Sequence, residues 1–511
     1  MMVKDVFYVT TPIYYVNDEP HIGHAYTTIL ADVLARYARL FDRQTFYLTG
    51  TDEHGQKVRR AATLQGVSPL QQADEMVQRY LNTWDTLQIS YDDFIRTTEE
   101  RHIQVVQNVL QALWESGDIY LGEYRGWYCV PDERFWTEKD LVNGNCPDCG
   151  RQVEELGESN YFFRMSHYQS WLIDYIEDNP SFIQPSYRRN EVLGFLTKPL
   201  GDLCITRPVS RMDWGIRLPF DDNFVTYVWF DALLNYVTAA GYLSDPERFE
   251  LQWSQAIHLI GKDILTTHCV YWPTMLKAAG LPQPKTIFAH GWWILSGTKM
   301  SKSIGNIVKP LDLINVYGVD PFRYFLIRDM TLGRDSEFSI SRMANRYEKE
   351  LANDLGNLLS RVLSMVETYF QGRIPGTGGY SNQDSQLKQG AERLLGSTQQ
   401  LVTDFALNGA ISEIMTYISG INVYLEQTSP WAIAKSGDYE RVGTILYSAL
   451  EALRLSSILL HPVMPEKTAA LWGQLGWQPA KKLSDALSWG LLEPGAVVSK
   501  GAPLFPRIEL S

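Results

Sequence analysis

Pro20-His21-Ile22-Gly23-His24 opens a helical stretch and is the sharpest local feature of the chain. A helix N-terminus carries unpaired N–H groups and a partial positive charge, so it favours anions. His21 and His24 there can donate to phosphate oxygens, and Gly23 lets a ligand approach the backbone closely. Far downstream, Lys299-Met300-Ser301-Lys302-Ser303 follows Ser296-Gly297-Thr298. Two lysines three apart on a Gly/Ser-rich loop suit a mobile clamp on a polyphosphate. One such donor, aimed at charge that develops in a transition state, contributes about 3 kcal/mol. Gly261-Lys262-Asp263 follows an apolar run, where Asp263 is placed to accept ribose hydroxyls. Taken singly, each feature has a bland counterpart: histidines at a helix start, a solvated basic loop, a turn aspartate.

Cys129-Val130-Pro131-Asp132 and Cys146-Pro147-Asp148-Cys149 carry the spacing of a zinc knuckle. Zinc accepts carboxylate oxygen, so Cys129, Asp132, Cys146 and Cys149 are candidates for a closed site of three sulfurs and one oxygen. The alternative is a turn held by packing, with thiols that bind nothing. Cys204 and Cys269 are expected to be buried bystanders. In the second half, Asn353, Asn357 and Arg361 recur every four residues and so share a helix face that can read base edges in single-stranded RNA. Trp431, after Ser429-Pro430, can stay exposed for base stacking.

The elements that must position these residues follow from periodicity. Asp5–Thr10 reads as a buried strand, His24–Phe41 as a long helix and Gln44–Leu48 as a second strand. That order opens an α/β sheet, whose ligands bind outside the carboxyl ends of the strands. Pro12–His24 and Thr49–Gly55 lie at such ends. From about Gly122 to Leu218 strands shorten and turns multiply, as in an insertion. The α/β pattern resumes at Phe224, with strands expected at Ala256–Ile260 and Thr286–Ala289. Beyond Met343 the period is helical: 343–370, 384–407, 410–426 and 439–460 are the expected helices of an antiparallel bundle. The expected domains are 1–121 and 224–327 for the split sheet domain, 122–223 for the insertion, 328–350 for a connection and 351–511 for the bundle.

Composition limits the function classes. The 511 residues suggest roughly three domains. Lys and Arg number 46 against 59 Asp and Glu, a net charge of −13, which argues against a general nucleic-acid coat but not against RNA on a local basic face. Arg323, Arg328, Arg334, Arg342 and Arg346 are candidates for that face. Five cysteines in so long a chain do not form a disulfide framework. The N-terminus lacks a signal-peptide pattern, and no uninterrupted apolar run approaches a membrane span, so a reducing cytoplasm and no membrane partner are expected.

Together the two phosphate motifs resemble the paired motifs of the class I aminoacyl-tRNA synthetases. Thr11-Pro12-Ile13-Tyr14-Tyr15-Val16-Asn17, Thr49-Gly50-Thr51-Asp52-Glu53-His54-Gly55, Val228-Trp229-Phe230-Asp231-Ala232, Gly261-Lys262-Asp263-Ile264 and His290-Gly291-Trp292 narrow the likeness to the methionyl-tRNA synthetases, over nearly the whole chain. The resemblance implies a Rossmann-type open parallel sheet with a zinc-knuckle insertion, followed by an α-helix bundle. It implies that Ile13, Tyr15, Trp229, Ala232, Leu233, Tyr236, Ile287 and His290 line a methionine slot in which Asp52 holds the ammonium. An apolar, aromatic slot suits a thioether, because sulfur and aromatic rings attract. Leu233 and Asn235 depart from a version of the family with Pro and Gly there. By the same resemblance His21, His24, Lys299 and Lys302 do the catalysis, and Gly23, Gly261, Asp263 and Ser301 join them around ATP. Mg²⁺ would accompany ATP, held mostly by phosphate oxygens and water. Asn353, Asn357, Arg361 and Trp431 would read the anticodon of tRNA(Met). Because no further module follows the bundle before Ser511, a monomer is expected.

Three alternatives are weighed against this. The valine, isoleucine and leucine enzymes need a larger editing insertion than 122–218, and the cysteine enzyme needs an active-site thiolate metal site. A small nucleotidyltransferase has no use for the bundle. A non-catalytic RNA-binding paralogue would not need His21, His24, Lys299 and Lys302 intact.

Overall fold

Val6–Thr10 is buried at all five positions and forms strand β1. The computed structural model describes residues 5–17, 19–130, 134–136, 138–226, 228–295, 298–299, 309–479 and 481–508. They belong to two compact units, one of residues 6–20 and 46–289, the other of residues 1–5, 21–45 and 290–511.

The first unit is built on a seven-stranded sheet. Its strands after β1 are β2 (Tyr14–Tyr15), β3 (Gln44–Asp52), β4 (Asp93–Arg96), β5 (Ile183–Gln184), β6 (Ala256–Gly261) and β7 (Thr286–His290). They lie in the order β2-β3-β1-β6-β7-β5, with β4 also on β3. The pairs β1–β6, β2–β3, β3–β4 and β7–β5 are parallel. The chain leaves β1 toward one edge and β6 toward the other, so the switch point falls between their carboxyl ends. Contrary to a strand ending at Leu48, β3 runs on to Asp52, because Thr49–Asp52 pair with β4 on one stretch and β2 on the next. Gly50 is obligatory there, since a Cβ would lie 2.0 Å from the Ile95 carbonyl oxygen. Helix α1 (Pro69–Thr86) lies between β3 and β4 in the chain. One apolar core joins the sheet to helices α2 (Glu100–Glu115), α3 (Val228–Leu233) and α4 (Asn235–Ala240), and includes Tyr8, Leu48, Val106, Phe230, Tyr236 and Ile287.

Within 122–218, strand Ile119–Cys129 pairs antiparallel with Arg134–Trp136 and with Glu154–Phe163, and the latter with Leu203–Cys204. The same stretch also supplies β5 to the main sheet.

In the second unit, Ile22–Leu40 forms helix α5. Most of its side chains are buried. The helical half contains Ile340–Arg346, the π-helical segment Tyr347–Gly356 and Asn357–Phe370 end to end, then Asn382–Thr403, α6 (Leu407–Thr428), α7 (Pro430–Ser436) and α8 (Tyr439–Leu460). The expected bundle helices are present with shifted ends. Helix α8 is long and apolar enough to cross a membrane, yet its apolar window is wholly buried inside the protein. Two fully buried residues of α8, Glu451 and Arg454, pair at 2.7 Å. Arg454 also donates to the carbonyls of Ala486 and Ser488 at 2.7 and 2.6 Å, and Glu451 accepts from the Leu492 N–H at 2.5 Å. The segment after the last helix is thereby fastened to the bundle.

The expected basic face is corrected. Arg323 is fully buried: it donates to Asp32 Oδ2 at 2.6 Å and to the Pro462 and Val463 carbonyls at 3.0 and 2.9 Å. Arg328 and Arg346 pair with Glu350, and Arg342 and Arg346 with Asp329. Carboxylates on neighbouring turns neutralise what composition presents as a positive strip. Of the five, Arg334 and Arg342 are exposed.

Candidate active site

At the carboxyl edge of the sheet, the β2–β3 register sets Tyr15 opposite Asp52. The Asp52 carboxylate is buried at 2% exposure. Lys57 Nζ lies 5.0 Å from the Tyr15 ring centre. Ile13, between β1 and β2, packs on the main core. Helix α3 carries Trp229, half-buried, with Ala232 and Leu233 buried. Ile287, on β7, is fully buried.

Tyr236 is held on three sides. Its backbone carbonyl accepts from Tyr8 Oη at 3.0 Å, its ring stacks on His258 at 4.1 Å, and its Oη lies 2.8 Å from His268 Nε2. His268 Nδ1 faces the Ile264 carbonyl at 3.1 Å, and burial lowers its pKa to about 4. The ring is therefore neutral with its proton on Nδ1, and Tyr236 donates to Nε2. Sequence spacing offered no sign of His258 or His268, which come from other elements. On the same edge, Gly261 ends β6 and Asp263 stands exposed on the following turn. Both the β1 and β6 ends flank the switch point.

In the helical unit, His21 is the N-cap of α5. Its Nδ1 accepts from the Gly23 N–H at 3.0 Å, and His24 Nδ1 accepts from the His21 N–H at 3.3 Å. Both rings, stacked at 3.8 Å, thus carry their protons on Nε2 when neutral. Burial, and then the His21 charge, holds His24 well below the ordinary histidine range. Two ring N–H donors at a helix N-terminus can serve an anion together with the helix N–H groups. Gly23 has a second reason to be glycine: a Cβ would meet His21 Cε1 at 2.9 Å. His290, buried, lies 2.8 Å from Thr27 Oγ1 and edge-on to Tyr26. Lys299 pairs through its backbone with Ile294. Its side chain, Ser301 and Lys302 lie outside the described residues.

The sulfurs of Cys129, Cys146 and Cys149 lie within 4.8 Å of one another, with Cys129 and Cys149 at 3.5 Å. Tetrahedral zinc with bonds of about 2.3 Å places sulfurs about 3.8 Å apart, so the three fit one ion. Trp127, Trp136, Leu141 and Val153 pack around them. Asp132, the expected fourth ligand, lies outside the described residues. No disulfide joins any of the five cysteines.

Asn353, Asn357 and Arg361 line one polar pocket of about 420 Å³. Across it stand Ser419 and Asn422 of α6, which helix-face reasoning on one segment could not reach. The guanidinium of Arg361 lies 5.0 Å from the ring centre of Trp431, half-buried on α7, and pairs with Glu426.

Comparison with known proteins decides the family. The model for class I tRNA synthetases of the methionine type matches residues 7–157 and 152–363, and that for the anticodon-binding domain of methionyl-tRNA ligase matches 374–510. The methionine–tRNA ligase of Caldanaerobacter subterraneus subsp. tengcongensis is 47% identical over 99% of this chain and 80% of its own length. The chain belongs to the methionyl-tRNA synthetase family. The family member of Thermotoga maritima is 44% identical over 98% of this chain and 80% of its own. The Mycobacterium tuberculosis methionyl-tRNA synthetase, solved with methionyl-adenylate, superposes with a TM-score of 0.93 at 40% identity, covering 98% of this chain and 100% of that one. The parallel sheet, the cysteine cluster and the helical C-terminal half are those of a methionyl-tRNA synthetase.

Proposed function

We propose that this methionyl-tRNA synthetase builds methionyl-adenylate from methionine and ATP and passes the methionyl group to tRNA(Met), initiator and elongator alike. The observation that carries the reading is the buried Asp52 carboxylate opposite Tyr15 at the carboxyl end of β3. A carboxylate at that edge accepts hydrogen bonds, and a substrate ammonium donates them.

In the first step a methionine carboxylate oxygen attacks the α-phosphorus of ATP. The bond from that phosphorus to the bridging oxygen breaks, and pyrophosphate leaves. Asp52 holds the ammonium, while Ile13, Tyr15, Trp229, Ala232, Leu233, Tyr236, Ile287 and His290 receive the side chain. His21 and His24 donate to phosphate oxygens through Nε2, with Gly23 allowing close approach. Asp263, beside Gly261, takes the ribose hydroxyls; Lys299, Ser301 and Lys302 hold the triphosphate. No general base is needed, because the carboxylate is already a nucleophile; positioning and charge stabilisation carry the step. Mg²⁺ bound with ATP would neutralise phosphate charge. In the second step the terminal ribose hydroxyl of the tRNA attacks the adenylate carbonyl, and AMP leaves.

Asn353, Asn357, Arg361 and Trp431 are the proposed anticodon readers, supported by their shared polar pocket. Cys129, Cys146 and Cys149, with Asp132, are the proposed ligands of one structural zinc, supported by the sulfur spacing. The proposed domains are 1–121 with 224–327 for catalysis, 122–223 as the connective insertion, 328–350 as a link and 351–511 for the anticodon. Action as a cytoplasmic monomer completes the proposal.

ATP–pyrophosphate exchange with each of the twenty amino acids, without tRNA, tests it. Exchange that depends on methionine alone is expected. Exchange with another amino acid would overturn the slot assignment; none from folded protein with Mg²⁺ would overturn the reading.

A further inference from the structure

Two motifs contain residues that the proposed chemistry leaves unused: Glu53 and His54 beside Asp52, and Asp231 between Trp229 and Ala232. Two of those side chains meet. Asp231 is fully buried on α3. His54 Nδ1 lies 2.6 Å from its Oδ2, and His102 Nε2, on α2, lies 2.7 Å from its Oδ1. A carboxylate only accepts, so each histidine directs an N–H at one of its oxygens. Both histidines are buried, and His102 Nδ1 lies 3.2 Å from Thr238 Oγ1 on α4. Burial alone would raise the Asp231 carboxyl, but the charge and hydrogen bond of His54 and the hydrogen bond of His102 leave it below the usual carboxylate range.

The backbone between Asp52 and His54 is pinned as well. The Glu53 carboxylate accepts from Arg96 at 2.6 and 3.0 Å, from Thr51 at 2.8 Å and from Thr98 at 2.5 Å. Its carbonyl accepts from the Trp214 indole at 2.5 Å, and the His54 ring lies edge-on to that indole. Asp231 therefore ties together the exit of β3, helix α2 and helix α3. The exit of β3 bears Asp52, and α3 bears Trp229, Ala232 and Leu233.

We propose that Asp231 is a positioning residue: through His54 and His102 it sets the span between the Asp52 carboxylate and the α3 wall, and hence the length of amino-acid side chain that the slot accepts. This rests on the functional reading above. One methylene in an apolar pocket is worth roughly 10- to 200-fold in discrimination, so a small displacement of either end is measurable.

Asp231→Asn keeps the shape but turns one acceptor into an amide that faces a histidine N–H. The test is steady-state ATP–pyrophosphate exchange with methionine and with ethionine, which is one methylene longer. The KM for methionine should rise about tenfold and the kcat/KM preference for methionine over ethionine should fall about fivefold or more, with the KM for ATP unchanged. His102→Gln, which does not touch the slot, should shift the same preference in the same direction and serves if Asp231→Asn does not fold. An unchanged preference in a folded variant, or KM values for methionine and ATP that rise in step, would overturn the proposal. Wild-type protein without methionine-dependent exchange would instead overturn the functional reading on which it rests.

Discussion

Arg323→Met should cost the helical unit about 3–5 kcal/mol, the range for removing one partner of a buried ion pair. The structure says where the cost arises. Asp32 and Arg323 have fully buried side chains 2.6 Å apart. Without the guanidinium, Asp32 keeps Arg36 at 2.8 Å, whose side chain is 20% exposed and pairs less strongly. The Pro462 and Val463 carbonyls each lose a donor, at roughly 1–3 kcal/mol for a buried group left unsatisfied. Replacing both members, Asp32→Leu with Arg323→Met, removes the stranded charge and should recover most of the loss, leaving the carbonyls as the residue of the cost. Urea unfolding followed by tryptophan fluorescence and by circular dichroism measures each variant, with the two probes separating the units if they unfold in sequence. A single Arg323→Met within about 1 kcal/mol of the parent would refute the argument. So would a double variant whose loss equals the sum of the singles, because the pair would then not be coupled.

Trp431→Ala removes a stacking face worth about 1–3 kcal/mol per base, so the KM for tRNA should rise roughly 5- to 150-fold. Methionine-dependent pyrophosphate exchange should be unaffected, and a matching loss in exchange would place Trp431 in the structural core instead. Asp52→Asn should lower kcat/KM for methionine by about 10²- to 10³-fold, the effect of removing one member of a buried charge pair; a loss below tenfold would show that another group holds the ammonium. Metal analysis of purified protein should find one zinc per chain, lost in Cys146→Ser; zinc-free protein after reconstitution would refute the cluster assignment. Burial, with the Arg36 and Arg323 charges, lowers His461 to about 4 from 6.5. Its depressed folded value means that the unfolded chain binds the proton first, so stability is full above pH 6.5 and is lost as pH falls toward 4. His461→Gln should flatten that acid slope in urea midpoints taken at pH 7.5 and 5.0, and an unchanged slope would remove His461 as a contributor.

Much of the fold is legible because its signals are local. The capping pattern at His21–His24, the apolar run of β1 and the spacing of Cys146 and Cys149 each lie within a few residues. The same holds for Asn353, Asn357 and Arg361, whose spacing alone predicts one face. What stays hidden depends on partners far along the chain. Nothing in the vicinity of Arg323 announces Asp32, 291 positions away, so its charge reads as surface. Tyr236 is readable as an aromatic, but the direction of its hydroxyl is decided by His268 on another element. Ser419 and Asn422 reach the polar pocket only because α6 lies alongside the segment that bears Asn353 and Asn357. β5 is two residues long, too short for any period to show, and exists because β7 offers it an edge.

The helical unit is assembled from stretches of chain on either side of residues 46–289. Residues 21–45 leave the ribosome before that stretch, whereas the part of the unit from residue 290 follows it. Throughout that interval the Asp32 carboxylate waits for Arg323. Tyr37 donates to the Leu459 carbonyl at 2.8 Å, so that contact waits for a residue 422 positions further on. The sheet unit, complete by residue 289, can fold while translation continues. Nascent chains halted between these two points therefore present helix α5 without Arg323 and Leu459.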